Sequence, residues 1–520
     1  MKKKLYQWHS TISLIIAIPV ILWAASGFMH PIMTTLRPKV KTTSLYSVPI
    51  DYSRIKLNPK EALTINKIDS FHDVRLIHID TNWFYQVQPD VTEKPMYFSC
   101  VDGKMLTKGD ELYARYLARQ FLDGQEKYKN VSILPVADIS LHDCCEAATK
   151  TVFDESIGSS VMGVEKVNAF DAEYGEVNKI LPVYKVSFKR EDGIRVYVET
   201  IQDRFVYAVD DKRATFDALF SFFHTWDWAD SLGNMKLYVM ALLLSLTMLT
   251  ALFGIYLFFT TKHIKPNGNK RLRPRYNHRW VSITAALFTL MFSFSGAFHA
   301  IEKTEPDSRY DYYNNQMIGT AQLQFAMNQA LNNPKAKMSN FSVVKMHDSI
   351  YWRIIKQEEQ QKKSSDNKPQ WSKDKKTNMP ATLYYQDVNG QELPNGELKY
   401  AQYLADHFRD GEEGQSLHTK PITFFEGEYG FVNKRLPVWK IQYATNDNER
   451  YYVETATGKL AVRIDDNNLA EGYSFSFLHK HHFMDFAGKP ARDFSTMFWA
   501  AMQIIMVSIG LYFYYSKRKK

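Results

Sequence analysis

Cysteine is scarce in this chain of 520 residues, which holds three. That is too few for a disulfide framework, although Cys100 could bridge to either of the adjacent Cys144 and Cys145 in an oxidising compartment. No Cys-x-x-Cys-His occurs, which argues against a covalently attached c-type haem. A glycine-rich phosphate loop, a nucleophile elbow and a His-Glu-x-x-His helix are also missing. Charge is absent from four long segments, Ser10–Met29, Leu237–Thr260, Trp280–Ile301 and Phe494–Ser516. Each is long and apolar enough to cross a bilayer as a helix.

Acidic residues are in turn absent from the stretches flanking these segments on one side. Lys2, Lys3 and Lys4 precede the first. Lys262, Lys265, Lys270, Arg271, Arg273, Arg275 and Arg279 link the second and third, and Lys517, Arg518, Lys519 and Lys520 end the chain. This asymmetry predicts that both termini and the short loop are cytoplasmic. The net charge of +9 is concentrated there, so it reports topology and argues against nucleic acid as a partner. The first segment imitates a signal peptide, with Ala24-Ala25-Ser26 as a mock cleavage site. Its twin in mid-chain cannot be a signal, which favours a retained helix.

What is present is a repeat. Trp8-His9-Ser10, an apolar run and Ser26-Gly27-Phe28-Met29-His30 are matched by His278-Arg279-Trp280, an apolar run and Ser295-Gly296-Ala297-Phe298-His299. In both copies the histidines stand 21 residues apart. On a helix that is a rise of about 31 Å and nearly six full turns, so each helix carries a histidine at either membrane edge on one face. The repeat continues beyond the helices. Tyr113–Ala118 matches Tyr400–Ala405, and Glu173-Tyr174-Gly175 matches Glu428-Tyr429-Gly430. Leu181-Pro182-Val183 matches Leu436-Pro437-Val438, and Tyr197–Thr200 matches Tyr452–Thr455. Phe220–His224 matches Phe475–His479 just before the second and fourth segments.

Each half is therefore a helix, an external segment and a returning helix, and the halves run parallel. The expected divisions are a first helix at 1–30, an external domain at 31–233, a helix at 234–261 and a basic loop at 262–277. A third helix follows at 278–302, then an external domain at 303–493 and a fourth helix with its tail at 494–520. Alternating apolar residues in Val183–Val186 and Arg195–Val198 predict paired strands, while Glu111–Phe121 and Leu398–Phe408 have helical spacing. Glu173-Tyr174-Gly175 reads as a turn. Two insertions break the symmetry: the polar run Gln357–Asn378, read as a solvated loop, and the stretch between Asp123 and Glu173 with His142, Cys144 and Cys145.

Six histidines form three repeat-matched sets, His9 with His278, His30 with His299, and His224 with His479. Singly, each reads as an interfacial or packed histidine. Matched as three pairs at membrane edges, they become candidates for function. Neutral imidazoles on facing helices can ligate haem from both sides, and four of the six would serve two haems at different depths. A proton relay would more usually place Asp or Glu within the bilayer. Asp227 and Asp230 near His224, with His481 and His482 near His479, leave an external metal site open.

The His-Arg-Trp start at residues 278–280, the Ser-Gly at the helix ends and the Phe-His at 223–224 resemble the PepSY-associated transmembrane family. Leu181–Val186 with Val196–Thr200, and the copies within 436–455, resemble PepSY domains. The resemblance spans nearly the whole chain through short motifs. It implies a four-helix membrane bundle with two α+β PepSY-like extracytoplasmic domains in a bacterial cytoplasmic membrane. It also implies two b-type haems and reduction of a ferric siderophore, or another Fe(III) chelate, at the external face. The family emphasises His9, His278, His224 and His479, whereas His30 and His299 are not general in it, so the outer ligand pair stays open. The electron donor, cytoplasmic or a quinol, is not named. PepSY domains elsewhere inhibit peptidases, so a non-redox binding module is the alternative. A transporter component fits less well with uncharged, uninterrupted spans.

Overall fold

A computed structural model describes residues 2–125, 158–270, 272–304, 313–323, 338–356, 383–409, 414–425 and 427–518. The expectations on His142, Cys144, Cys145 and the run 357–378 lie outside the described residues; Cys100 is buried. The longer helices, in chain order, are α1 (Lys2–Thr35), α2 (Gly109–Asp123), α3 (Asp211–Phe220), α4 (Asn234–Thr260), α5 (Arg273–Glu302), α6 (Gly396–Phe408), α7 (Asp466–Ser474) and α8 (Lys489–Arg518). The chain forms two compact units. One gathers residues 1–37, 211–307 and 465–520, and the other gathers 38–210 and 308–464.

In the first unit α1, α4, α5 and α8 are long and apolar enough to cross a membrane. They pack in a closed ring, α1 on α4, α4 on α5, α5 on α8 and α8 on α1. The ring puts the two repeat-related helices α1 and α5 on a diagonal. Its burial is the reverse of a water-soluble protein's. Ser26, Ala285 and Ser295 are sealed inside, while Ile18 is 67% and Leu287 62% exposed. Small and hydroxyl residues inside with bulky apolar ones outside is the arrangement expected where lipid is the solvent. Interior polar groups find each other, as Thr289 and Gln503 do. Before each returning helix the chain makes α3 or α7, then a π-helical turn, Ser221–Thr225 or Phe475–His479, then a 3-10 turn. These approaches belong with the bundle, so it reaches further along the chain than the apolar runs alone.

In the second unit, besides the short pair Ser70–Phe71 and Ile318–Gly319, the strands are β1 (Asp73–Ile79), β2 (Asn82–Gln88), β3 (Met96–Ser99), β4 (Val161–Val167), β5 (Val183–Phe188), β6 (Arg195–Glu199) and β7 (Arg204–Val209) from the first half. The second half supplies β8 (Met338–Met346), β9 (Ser349–Lys356), β10 (Leu383–Asp387), β11 (Glu392–Leu393), β12 (Ser416–Ile422), β13 (Val438–Tyr443), β14 (Arg450–Glu454) and β15 (Lys459–Ile464). Each half contributes one antiparallel meander, β4-β5-β6-β7 or β12-β13-β14-β15. The predicted strand pair is present, with Tyr184 opposite Val198. α2 packs Leu117 and Phe121 among Val186, Val196 and Val198, and α6 packs Leu404 and Phe408 among Ile441 and Val453. Each helix starts on a glycine that presses on a tyrosine. A Cβ at Gly109 would lie 2.7 Å from Tyr97, and one at Gly396 2.6 Å from Tyr385, so a side chain fits at neither.

The segments between the apolar helices do more than stand as separate domains. A seven-stranded sheet, β11-β10-β9-β8-β1-β2-β3, runs through both halves and is joined where Ser342 of β8 pairs with Arg75 of β1. A buried ion cluster also links them. Arg204 binds Glu199 at 2.7 Å and Glu454, and Arg435 binds Glu454 at 2.7 Å and Glu199 at 3.5 Å. Burial alone would raise the Glu454 carboxyl, yet the two guanidiniums hold it down at about 2. Burial, with the like charge of Arg435, brings the neighbouring Lys459 down to about 8. The Glu-Tyr-Gly repeat is structural: Tyr174 and Tyr429 donate to the carbonyls of Ile180 and Arg435, and Glu173 and Glu428 each bind a lysine and an arginine.

Candidate functional site

All eight candidate histidines lie in the helical unit, and four of them meet as two pairs. At the end bearing the chain termini, His9 of α1 faces His278 of α5 across the bundle diagonal. Their ring centres are 6.5 Å apart and inclined at 48°. At the other end His224 faces His479, with centres 6.1 Å apart and rings nearly perpendicular at 80°. Both of these sit at or next to the last residue of a π-helical turn. The extra residue of a π turn rotates the side chain off the regular helical course, and such turns recur at functional sites. Trp226 and His481 follow in left-handed backbone, with φ of 55° and 54°, which turns the chain toward the returning helix.

The Nδ1 atoms are all committed. That of His9 donates to the Thr250 carbonyl at 3.1 Å, and that of His278 to the Met506 carbonyl at 3.2 Å. A carbonyl only accepts, so the proton is on Nδ1 and the lone pair is on Nε2. His224 and His479 bond through Nδ1 to Ser26 Oγ at 2.9 Å and Ser295 Oγ at 3.2 Å. Each serine hydroxyl spends its own proton on a carbonyl one turn back, Leu22 or Met291, both at 2.8 Å. The serine oxygen therefore accepts, and Nε2 is again the free atom.

Glycines make room at the first pair. A Cβ at Gly254 would stand 3.4 Å from His9 Cε1, and one at Gly510 3.0 Å from His278 Cε1. Both glycines lie inside apolar helices at repeat-equivalent positions, one turn beyond the carbonyls that hold the rings. Repeat symmetry also shapes the other end, where Trp23 stacks on Trp226 and Phe292 stacks on His481.

The remaining candidates stand outside these pairs. His30 is separated from His224 by Phe220, with ring centres 5.5 and 4.6 Å apart in succession. His299 is separated from His479 by Phe475, at 4.3 and 4.8 Å. His299 Nδ1 also binds Glu471 at 2.6 Å. His481 is fully buried, bonded to Ser495 at 3.0 Å, and its Nε2 has no protein partner. His482 sits in a surface ion network with Asp485 and Arg492.

Two imidazoles opposed on one metal need ring centres about 6 Å apart, since each metal–nitrogen bond is about 2.0 Å and the ring centre lies about 1 Å behind the nitrogen. Both pairs stand at that separation. Two nitrogens leave the equator of a six-coordinate ion unfilled, and among the described residues no group of three or more His, Cys, Asp or Glu side chains could hold a bare metal ion. The donor set suits an ion that brings its own planar ring of nitrogens. The serines, the carbonyl acceptors and the two glycines were not singled out as ligand supports from sequence. The available signals were the repeat-matched Ser26 and Ser295 and the interior glycine at matching positions in the second and fourth apolar runs. Compared with protein-family models and with curated proteins, the chain matches none.

Proposed function

We propose that this is a di-haem electron-transfer protein of a bacterial cytoplasmic membrane, passing single electrons outward to an Fe(III) chelate of the siderophore kind. The observation that carries the reading is the pair of opposed imidazole pairs, His9 with His278 and His224 with His479. Each would offer two Nε2 atoms to one iron from ring centres about 6 Å apart, with Nδ1 already satisfied. A b-type haem, which His9 with His278 and His224 with His479 would hold, would supply a reversible one-electron Fe(III)/Fe(II) couple. Ser26 lies seventeen positions beyond His9 on α1, a rise of about 26 Å, so the pairs stand near opposite membrane surfaces.

The protein's part is to hold neutral imidazoles, fix their tautomers and keep water out with an apolar bundle. One electron arrives from a reduced donor at the cytoplasmic end, a soluble carrier or a quinol, and that donor is oxidised. One electron leaves to one chelated Fe(III), which becomes Fe(II). A hard, oxygen-rich chelator holds the softer, less charged ion less tightly, so iron is freed. The likeness of the helix-start, Phe-His and Leu-Pro-Val motifs to the PepSY-associated transmembrane family supports iron as the acceptor, with PepSY-like folds in the external segments.

The test is the absorption spectrum of the purified protein, with haem content measured as the pyridine complex. About two low-spin haems per chain are expected. The dithionite-reduced protein, freed of excess reductant, should reoxidise on adding ferric chelates, matched by colour from a ferrous-specific dye. Haem that stays reduced across a varied panel of chelates sinks the iron reading, and a haem-free protein returns the chain to the binding-module alternative.

A further inference from the structure

We propose that the His224–His479 site has the higher reduction potential of the two, and that Ser26 and Ser295 are the positioning residues that set it there. The inference rests on both pairs holding haem, and it goes further by fixing the direction in which electrons run downhill.

The two pairs differ in the second partner of each imidazole. At His9 and His278 the Nδ1–H donates to peptide carbonyls, at 3.1 and 3.2 Å. A peptide carbonyl is a strong acceptor. It draws the proton away from the ring, makes Nε2 more basic and so favours ferric iron, which lowers the potential. At His224 and His479 the acceptor is a serine hydroxyl oxygen. Its own donation to Leu22 or Met291 strengthens it somewhat, without bringing it to the level of an amide carbonyl. These rings are left less basic, which favours ferrous iron.

Fixed charge does not reverse this order. A cation stands near each site, Lys480 over the Phe475 ring beside His479, and Arg279 next to His278. Of the carboxylates beside the outer stack, Glu471 is bonded to His299, a ring removed from His479, and Asp493 lies on the His30 side, where Lys480, Arg213 and Arg37 outnumber it. Ring orientation acts in the same sense as the acceptors. Imidazoles at 80° leave the two iron π-type d orbitals nearly degenerate, whereas at 48° they are split. Degeneracy moves the ferric low-spin resonance to low field and withdraws some stabilisation from the ferric state. Electrons entering at the end with the chain termini would therefore run downhill to the other end.

The experiment is an equilibrium redox titration of the full-length protein in detergent, followed by haem absorbance, with electron paramagnetic resonance of the oxidised sample. Sites are assigned with H278M and H479M, because a thioether in place of an imidazole raises the potential of the site it enters. Two waves are expected, the lower moving in H278M and the upper in H479M. The low-field resonance should persist in H278M and vanish in H479M. S26A with S295A should move the upper wave further up and leave the lower one in place, an effect that mere loss of packing would not produce. The proposal is overturned if H479M moves the lower wave, if the waves coincide, or if the serine variants leave both waves unmoved. A preparation with no haem absorbance overturns the reading beneath it as well.

Discussion

Replacing Gly510 with alanine should damage the His9–His278 site, while the same change at Gly254 should not. The added Cβ at residue 510 meets His278 Cε1 at 3.0 Å and Nδ1 at 3.4 Å, whereas at residue 254 it meets His9 Cε1 at 3.4 Å and nothing nearer. Ordinary carbon contacts begin at about 3.5 Å, so the His278 ring must retreat by roughly half an ångström, while His9 can stay. The ring's Nδ1 bond to Met506, already 3.2 Å, would stretch beyond useful hydrogen-bond length. Overpacking of this kind costs about 1–3 kcal/mol, which weakens retention of haem at that pair by about 5- to 150-fold. Alanine favours helix over glycine by about 1 kcal/mol in both helices, so that gain cancels from the comparison. Haem-depleted protein titrated with haemin, followed by low-spin absorbance, reads the difference directly. Equal losses in G254A and G510A would refute the packing argument, as would G510A binding both equivalents with unaltered affinity.

Alanine at His9 or His278 should lower haem content by about one per chain, and alanine at His224 or His479 should remove the other. H30A and H299A should retain both, because a phenylalanine separates each from the nearer pair; a pyridine haemochrome assay decides. E454Q leaves Arg204 and Arg435 facing one carboxylate fewer in a buried site, which should cost about 3–5 kcal/mol and appear as a lowered thermal transition of the full chain. The carboxyl of Glu454 sits at about 2 when folded, below its ordinary 4.5, so its contribution is complete above pH 4.5 and is lost as pH falls toward 2. Circular dichroism should show a shallower acid limb in E454Q than in the parent protein. Reporter fusions after residue 270 should behave as cytoplasmic and fusions near 130 and 360 as external, and an external residue 270 would overturn the topology.

The sequence by itself determined four helices long and apolar enough to cross a membrane, the internal repeat, the predicted strand pair and the helices at 111–121 and 398–408. These follow from period, length and absence of charge, which act locally and leave a trace in consecutive residues. It also put His9, His30, His278 and His299 at the ends of helices, because rise and rotation per residue are fixed. Only the tertiary structure decided which histidines meet. Two π-helical turns and the closed ring of helices bring His224 to His479, and phenyl rings set His30 and His299 aside. The acceptors were illegible for a plainer reason, since every residue has a carbonyl and nothing in its side chain marks Thr250 or Met506. The buried ion cluster was hidden by the repeat itself, which sets Ile180 where the second half has Arg435. The same holds for the joint between the halves. A strand edge carries no record of its partner, and Ser342 of β8 meets Arg75 of β1 only in the folded seven-stranded sheet. Depth and face are properties of one helix, whereas a pair of ligands belongs to the packing of several.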